Sequence, residues 1–350
     1  MSGGVDSSAA AAILSRSYIA IGATMRLYTN EDIAVDSRTC CSLDDTEDAR
    51  SAANKLGMEF YVFNFGDRFR ECVIDKFNDA YIRGLTPNPC IECNRCLKFD
   101  TLLRRAEELG CDYIATGHYV RRRFDEKTGK YQLLKGLDDA KDQSYVLYGM
   151  TQYQLERTLF PIGEMTKAQT RELAQQYGLV NARKPESQDI CFVPDGDYAA
   201  FIERYTGKTF PEGDFVDKEG NVLGRHKGII RYTIGQRKGL GIALGQPAYV
   251  VEKDPAANKV VLGSNDDLFD NTALAENFNW ISGQAPEGPV RVKARVRYNQ
   301  KEQPAMLYPE EGGRVRAVFD EPQRAITPGQ ALVCYDGEVV LGGGEIIRYF

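Results

Sequence analysis

Ser2-Gly3-Gly4-Val5-Asp6-Ser7-Ser8 is the most informative stretch of the chain. Its two glycines let the backbone approach a ligand closely, and its serines add hydroxyl donors. An apolar run over residues 9–14 follows, which predicts a helix over residues 6–15. Free N–H groups and the dipole at a helix start favour a bound anion. The stretch therefore predicts a phosphate-binding loop, the simpler alternative being a glycine-rich turn with a serine cap.

This loop belongs to neither of the two commonest phosphate-binding motifs. No Gly-Lys-Ser/Thr follows it, so it is not a Walker-A loop, and the G-x-G-x-x-G pattern of dinucleotide sites is absent. Beyond it, strand and helix patterns alternate. Strands are predicted over residues 19–27, 59–65 and 113–116, and helices over residues 44–56, 69–81 and 98–109. Such alternation predicts an α/β domain with a parallel sheet covered by helices on both faces.

The pattern changes after about residue 195. Short β-rich runs then lie between recurring glycines and prolines, over residues 228–234, 248–252, 259–262, 290–298 and 331–335. This texture predicts an all-β second half built from small barrels. We place the domains at residues 1–194, 195–270 and 271–350.

Composition limits the class of protein. The chain has 350 residues, 43% of them hydrophobic, and a net charge of −6. No apolar run approaches the roughly 20 residues of a membrane helix, and no signal peptide opens the chain, so we expect a cytoplasmic protein without a membrane partner. The negative charge does not favour a nucleic-acid partner, although clustering on one face matters more than the total.

Nine cysteines suggest chemistry or metal binding rather than disulfides. Cys90, Cys93 and Cys96 follow two prolines with the spacing C-x₂-C-x₂-C, and Arg95 and Lys98 lie close by. A neighbouring cation favours the nucleophilic thiolate. Metal or iron–sulfur binding stays open, with a fourth ligand from His118, Cys191 or the Cys40–Cys41 pair, and so does a role as small core residues.

A basic stretch in the last third suggests an RNA contact. Arg291, Lys293, Arg295 and Arg297 alternate with apolar residues, so a strand would place all four on one face. With Tyr298 beside it, such a face suits phosphates and a stacked base. The alternative is an edge strand kept charged against aggregation. Weaker basic stretches occur at residues 121–123 and 232–241.

Several stretches together resemble the tRNA-specific 2-thiouridylase family of the PP-loop ATP pyrophosphatase superfamily. They are SGGVDSS (2–8), CCSLDDTEDAR (40–50), TPNPCIECN (86–94), ATGHYVR (115–121), KDQSYVLY (141–148), SQDICF (187–192), YTIGQRKGLGI (232–242) and VRYNQ (296–300). The resemblance runs from residue 2 to the end. It implies a PP-loop ATP-binding catalytic domain followed by two small β-rich domains, the last a β-barrel.

The resemblance also implies a reaction. ATP, with Mg²⁺, adenylates the 2-oxygen of the wobble uridine in tRNAs for Lys, Glu and Gln. Sulfur from a persulfide-donor protein then gives 2-thiouridine, AMP and pyrophosphate. Cys93 is implied as the nucleophile, Cys191 as the persulfide carrier and Asp6 as a contact for Mg²⁺, and the two cysteines are implied to end the cycle as a transient disulfide.

The resemblance assigns further residues by position. The ATP site comprises Ser2, Gly3, Gly4, Val5, Asp6, Ser7, Ser8, Met25 and Gly117. The target base meets Asn88, Pro89 and Cys90. The tRNA contacts are His118, Lys141, Asp142, Gln143, Arg297, Tyr298 and Gln330.

Two features depart from the family pattern. Many relatives have Asp at the position of Cys90, so an iron–sulfur cluster on Cys90, Cys93 and Cys191 is an alternative to the persulfide. In the superfamily a buried strand precedes the loop. Either that strand lies upstream of Met1, which we expect, or the sheet lacks its central strand. The rival functions are another PP-loop adenylating enzyme and a catalytically impaired tRNA-binding protein.

Overall fold

The computed structural model describes residues 1–29, 43–184 and 190–348. Cys40, Cys41 and residues 187–189 of the family pattern lie outside this range. The first part of the chain contains, in order, α1 (Val5–Leu14), β1 (Ile21–Arg26), α2 (Leu43–Lys55), β2 (Glu59–Asn64), α3 (Gly66–Phe69), α4 (Asp75–Ile82), α5 (Pro89–Cys93), α6 (Leu102–Glu108), β3 (Ile114–Ala115), β4 (Val120–Asp125), β5 (Lys130–Lys135), α7 (Gln152–Glu156), β6 (Thr158–Leu159) and α8 (Lys167–Gln176).

The predicted parallel α/β arrangement is confirmed. β1 pairs in parallel with β2, and β3 pairs in parallel with β6. The backbone of Met1 lies against β1, because its amino group donates to the Ala23 carbonyl and its carbonyl accepts from Thr24 Oγ1 at 2.6 Å. The loop that follows Met1 therefore begins at the sheet and feeds directly into α1.

Two long helices contain π-helical turns. Arg70–Ile74 joins α3 to α4 without a break, and Asn94–Thr101 joins α5 to α6 in the same way. The second helix begins earlier than the predicted residue 98. Pro89 occupies its first turn and the Asn88 side chain caps it, accepting from Cys90 N at 3.1 Å, an arrangement that starts a helix firmly.

The central part is a small mixed sheet with a helix. It contains α9 (Tyr198–Thr206), β7 (Gly213–Val216), β8 (Val222–His226), β9 (Tyr249–Asp254) and β10 (Lys259–Gly263), and its strand order is β8-β7-β10-β9. The strand predicted over residues 228–234 is wrong, because Ile229–Arg231 forms a 3₁₀ turn. Ile229 and Ile230 are both buried, so the run lacks the alternation of a half-buried strand.

The last part is a closed six-stranded barrel, as predicted. It contains β11 (Phe269–Trp280), β12 (Val290–Arg295), β13 (Gln303–Glu310), β14 (Arg314–Arg324), β15 (Ala331–Asp336) and β16 (Val339–Ile347). The order β11-β14-β13-β12-β15-β16 closes because β16 also pairs with β11. The β4–β5 hairpin of the first part extends the same sheet, with Leu134 opposite Val339.

The three parts share their hydrophobic cores. Phe77 and Leu97 of the first part pack in one cluster with Phe215 and Val250 of the central part. A second cluster joins Phe99 and Tyr145 to Val333 and Tyr335 of the barrel. The cysteine-bearing helix thus lies where all three parts meet. Among the described residues, no helix combines the length and apolar character needed to cross a bilayer.

Candidate functional site

The glycine-rich loop is shaped as a phosphate cradle. Gly3 has φ +70°, and a Cβ there would collide with the Asp45 carbonyl, so only glycine fits. Gly4 precedes α1 and provides no side-chain cap for the first turn. Ser7 Oγ accepts from Ser2 N at 3.1 Å and donates to the Gly4 carbonyl at 3.1 Å. The first-turn amides of α1 are therefore left to an anion, and the loop fits the phosphates of ATP.

A buried asparagine fixes the loop from behind. Asn181 Nδ2 donates to Ser8 Oγ at 2.7 Å, to the Gly3 carbonyl at 3.2 Å and to the Gly4 carbonyl at 3.3 Å. These bonds occupy the carbonyl oxygens of Gly3 and Gly4 and so fix the turn that precedes α1. No sequence motif indicated Asn181.

Asp6 is the acidic group of the loop and is held from two sides. Lys167 Nζ donates to its two carboxylate oxygens at 2.7 and 2.9 Å, and the Tyr119 hydroxyl donates at 2.8 Å. Mg²⁺ prefers carboxylate and phosphate oxygens, so Asp6 together with bound phosphates suits that ion. Tyr119 lies inside the stretch ATGHYVR, whereas nothing in the sequence pointed to Lys167.

Two further predicted nucleotide contacts lie near this loop or on the adjoining strand. An added Cβ at Gly117 would come within 2.7 Å of the Asp6 carbonyl carbon and of Ser7 N, so Gly117 packs directly against the loop backbone. Met25 lies on β1, half-buried against the core. Beside Gly3, Asp45 and Asp48 each accept from Lys184 Nζ at 2.6 Å.

The two predicted catalytic cysteines are brought to one core. Cys93, at the end of α5, and Cys191 are both half-buried and pack against the cluster that contains Phe69, Phe77 and Phe192. The Tyr28 hydroxyl anchors the Cys191 carbonyl at 2.6 Å. Burial raises the pKa of the Cys93 thiol to about 11, while the charge of Lys98 acts in the opposite direction. Cys93 is therefore mostly protonated near neutral pH in this state.

The alternative iron–sulfur ligand set is not assembled among the residues that the structure describes. Cys90 is exposed on α5, whereas Cys93 lies three residues on and is half-buried. Among the residues that the structure describes, no three Cys, His, Asp or Glu side chains converge as metal ligands. Cys96 instead neighbours Cys72, and burial followed by its hydrogen bond with that thiol raises its pKa to about 11.

The predicted target-base segment touches the barrel. Gln330 Nε2 donates to the Thr86 carbonyl at 2.6 Å, and Thr86 N donates to the Pro328 carbonyl at 3.0 Å. Gln330 therefore supports the segment that leads into Asn88, Pro89 and Cys90. Its side chain is committed to protein in this structure.

Several predicted tRNA contacts are internal. His118 is only 7% exposed. Asp142 is buried and accepts from Ser144 N, Ser144 Oγ, Gly136 N and Arg295 Nη2. Gln143 Oε1 accepts from Tyr119 N at 2.9 Å. Lys141, the residue before Asp142, is half-buried.

The predicted alternation of the basic stretch is confirmed on β12, but carboxylates of the protein neutralise two of its four predicted cations. β12 has Arg291 and Lys293 outward and Val292 and Ala294 buried. Arg291 pairs with Asp320, and Arg295 pairs with Asp142 at 3.0 Å and with Glu302 at 2.9 Å. β12 pairs with β13 on one side and β15 on the other, so it is not an edge strand either.

The end of that basic stretch lies beyond the strand. Arg297 donates to the Ala325 and Ile234 carbonyls and to Thr327 Oγ1 at 2.6 Å, so its guanidinium ties the barrel to the central loop. Tyr298 is 37% exposed and offers a ring face at the surface. Arg291, Lys293 and Tyr298 are thus the exposed members of the stretch, and of these Arg291 is paired with Asp320.

The chain matches known proteins over its length. Residues 1–195 match a domain family described as the tRNA methyl transferase HUP domain, residues 199–264 the tRNA methyl transferase PRC-barrel domain and residues 270–346 the aminomethyltransferase beta-barrel domain. A protein of Acetivibrio thermocellus named tRNA-specific 2-thiouridylase MnmA is 53% identical over 349 residues, which is 99% of this chain and 97% of that protein.

Two further proteins with the same name give similar values. That of Clostridioides difficile is 51% identical over 347 residues, with 99% of this chain and 96% of that protein covered. That of Moorella thermoacetica is 51% identical over 348 residues, with coverages of 99% and 98%.

Proposed function

The chain belongs to the tRNA-specific 2-thiouridylase family, and on that premise we propose that it uses ATP to replace the 2-oxygen of the wobble uridine in tRNA with sulfur. The observation that carries the proposal is the pairing of a built phosphate loop with two thiols on one core. A rival PP-loop enzyme that acts on a metabolite has no need of such a thiol pair.

The first step is adenylation at the loop. When bound, ATP supplies a phosphoryl electrophile, and Mg²⁺ offsets its charge. Residues 2–8 hold the phosphates, Asn181 fixes the turn that precedes α1, and Asp6 takes part in holding Mg²⁺. The uridine 2-oxygen attacks the α-phosphate, the α–β bond breaks, and pyrophosphate leaves on the loop.

The second step is sulfur transfer. The terminal sulfur of a persulfide on Cys191 attacks C2 of the adenylated base, and AMP leaves with the former 2-oxygen. The Cys93 thiolate then attacks Cys191 Sγ, the sulfur–sulfur bond breaks, and the transferred sulfur stays on C2. Cys93 and Cys191 become a disulfide, and a thiol reductant restores both thiols. Both thiols need a reducing compartment between turnovers, which favours the cytosol.

The substrate is presented near the cysteine helix. Asn88, Pro89 and Cys90 are proposed to meet the flipped base, since they begin the helix that carries Cys93. A base in a single-stranded anticodon loop is extruded at modest cost. By family, we propose tRNAs for Lys, Glu and Gln as acceptors and a persulfide-bearing protein as the sulfur donor.

Nucleoside mass spectrometry tests this proposal. Unmodified tRNA is incubated with the protein, Mg²⁺-ATP and a persulfide donor, for the wild type and for Cys93→Ser, Cys191→Ser and Cys90→Ser. Cys111→Ser is the matched control, because Cys111 lies outside the proposed chemistry. We expect 2-thiouridine from the wild type and the Cys111 and Cys90 variants, and none from the other two.

Other outcomes are equally informative. Methylated rather than thiolated uridine would favour the activity named in the domain-family descriptions over the activity named for the full-length relatives. Loss of activity together with bound iron in Cys90→Ser would restore the cluster mechanism. No thiouridine from the wild type would refute the proposed function.

A further inference from the structure

The π-helical turn after Cys93 changes which side chain lies over that thiol. In an α-helix, at about 100° per residue, a residue five positions on is rotated by about 140° and faces away. In a π-helix the repeat is i→i+5, so the fifth residue lies close to one turn above. Asn94–Thr101 is π-helical, and the fifth residue after Cys93 is Lys98. The unusual turn therefore places Lys98 about one turn from Cys93 on the same side of the helix, and the charge of Lys98 acts on that thiol.

A buried histidine holds that cation. Lys98 Nζ lies 3.4 Å from His118 Nε2, and His118 Nδ1 lies 2.8 Å from Thr116 Oγ1. An ammonium group can only donate, so Nε2 accepts, and Nδ1 carries the proton and donates to Thr116. Burial, aided by the charge of Lys98, lowers the pKa of His118 well below its ordinary value, so the ring stays neutral and able to accept.

The other groups that face this pair do not replace Lys98. The neighbouring thiols Cys90 and Cys96 raise the pKa of Cys93, and Lys98 is the cation that lowers it. Among the described groups that act on Cys93, stabilisation of a thiolate thus falls to Lys98.

We propose that Lys98 is the positioning residue that stabilises the Cys93 thiolate, and that His118 fixes the Lys98 ammonium. The role of this thiolate in turnover rests on the proposed function. The stabilisation itself is a property of the protein without substrates.

The test is the alkylation of Cys93 by iodoacetamide across pH, followed on the Cys93 peptide by mass spectrometry. Variants are Lys98→Met, Lys98→Arg and His118→Gln, and the control is Lys76→Met, which removes a cation bonded to Glu92 from the facing helix. An opposite charge within about 4–6 Å shifts a pKa by about one unit or more. Because a more basic thiolate is also more nucleophilic, one unit lowers the alkylation rate at pH 8 by about threefold to fourfold.

We expect the alkylation midpoint to rise in Lys98→Met, to rise less in His118→Gln, and to stay near the wild-type value in Lys98→Arg and Lys76→Met. An unchanged midpoint in Lys98→Met would overturn the proposal, even with activity lost. Where Lys98→Met does not fold, His118→Gln decides by the same readout. A shifted midpoint in a protein that makes no thiouridine would refute the proposed function and leave this inference standing.

Discussion

A single methyl group at Gly117 should disable the phosphate loop. An added Cβ would lie 2.7 Å from the Asp6 carbonyl carbon and from Ser7 N, whereas ordinary contact begins at 3.4 Å. The loop must then retreat by 0.7 Å (3.4 − 2.7). Both contacted atoms are backbone atoms, so no side-chain rotation relieves the overlap. The φ of Gly117 is not in the left-handed region, so the effect of Gly117→Ala is purely steric.

The magnitude follows from the cost of overpacking. Forcing one extra carbon into a packed site costs about 1–3 kcal/mol. If the loop gives way and not the whole fold, that energy appears as weaker ATP binding, by about fivefold to 150-fold. Isothermal titration with ATP and tRNA-dependent pyrophosphate release measure the loss, and a thermal melt measures the fold.

The matched control is Gly288→Ala, because a Cβ there meets nothing within 4 Å. It should match the wild type in all three measurements. ATP affinity and pyrophosphate release unchanged in Gly117→Ala would refute the reasoning, since the loop would then not be the nucleotide site or would not be fixed by this contact. A large fall in melting temperature would instead show that the cost is spread over the fold.

Three further predictions test residues whose structural role the sequence did not indicate. Asn181→Ala removes three hydrogen bonds to the loop, so pyrophosphate release should fall about tenfold or more with tRNA binding retained. Pyrophosphate release equal to that of the wild type would contradict the role of Asn181 in fixing the loop. Arg295→Met leaves Asp142 buried without its cation and should lower the free energy of unfolding in urea by about 3–5 kcal/mol; Arg291→Met, at an exposed pair, is the control and should cost under about 1 kcal/mol. Lys253 is fully buried, its Nζ has no hydrogen-bond partner within the described part of the chain, and burial lowers its pKa to about 8. Between pH 8 and 10.5 the unfolded state binds the extra proton, so stability should rise with pH through that window. Lys253→Met should abolish this pH dependence and raise the free energy of unfolding in urea by roughly 3 kcal/mol at pH 7. An unchanged dependence of stability on pH would show that the ammonium is solvated.

The sequence was most informative where the signal is local. The loop at residues 2–8, α1, β1 and β2 lie within a few residues of their predicted positions, because glycine placement and apolar periodicity are read over short windows. The helix that carries Cys93 was predicted to start at residue 98 and begins at Pro89. Its start depends on an asparagine cap that the sequence shows only as part of a proline-rich run.

Strand pairing and ion pairs between residues far apart in the chain could not be predicted from the sequence. Arg121 to Arg123 were interpreted as a basic patch, yet they lie on β4, in a hairpin whose partner strand is some 200 residues away. Arg295 was interpreted as an RNA contact, yet its counter-charge Asp142 is separated from it by 153 residues. α9 was missed within a half read as all-β. Charges that neutralise one another across the fold look identical in sequence to charges offered to a ligand.

The shared sheet has a consequence for how these domains can be recombined. The β4–β5 hairpin belongs in sequence to the nucleotide-binding part, yet its outer hydrogen-bonding edge is completed by β16 of the barrel. A truncation that ended before the barrel would leave β5 as an unpaired edge and uncover Tyr145 and Leu147, inviting self-association. The barrel therefore cannot be transferred to another protein on its own. Grafting it onto another PP-loop enzyme requires moving residues 120–135 with it.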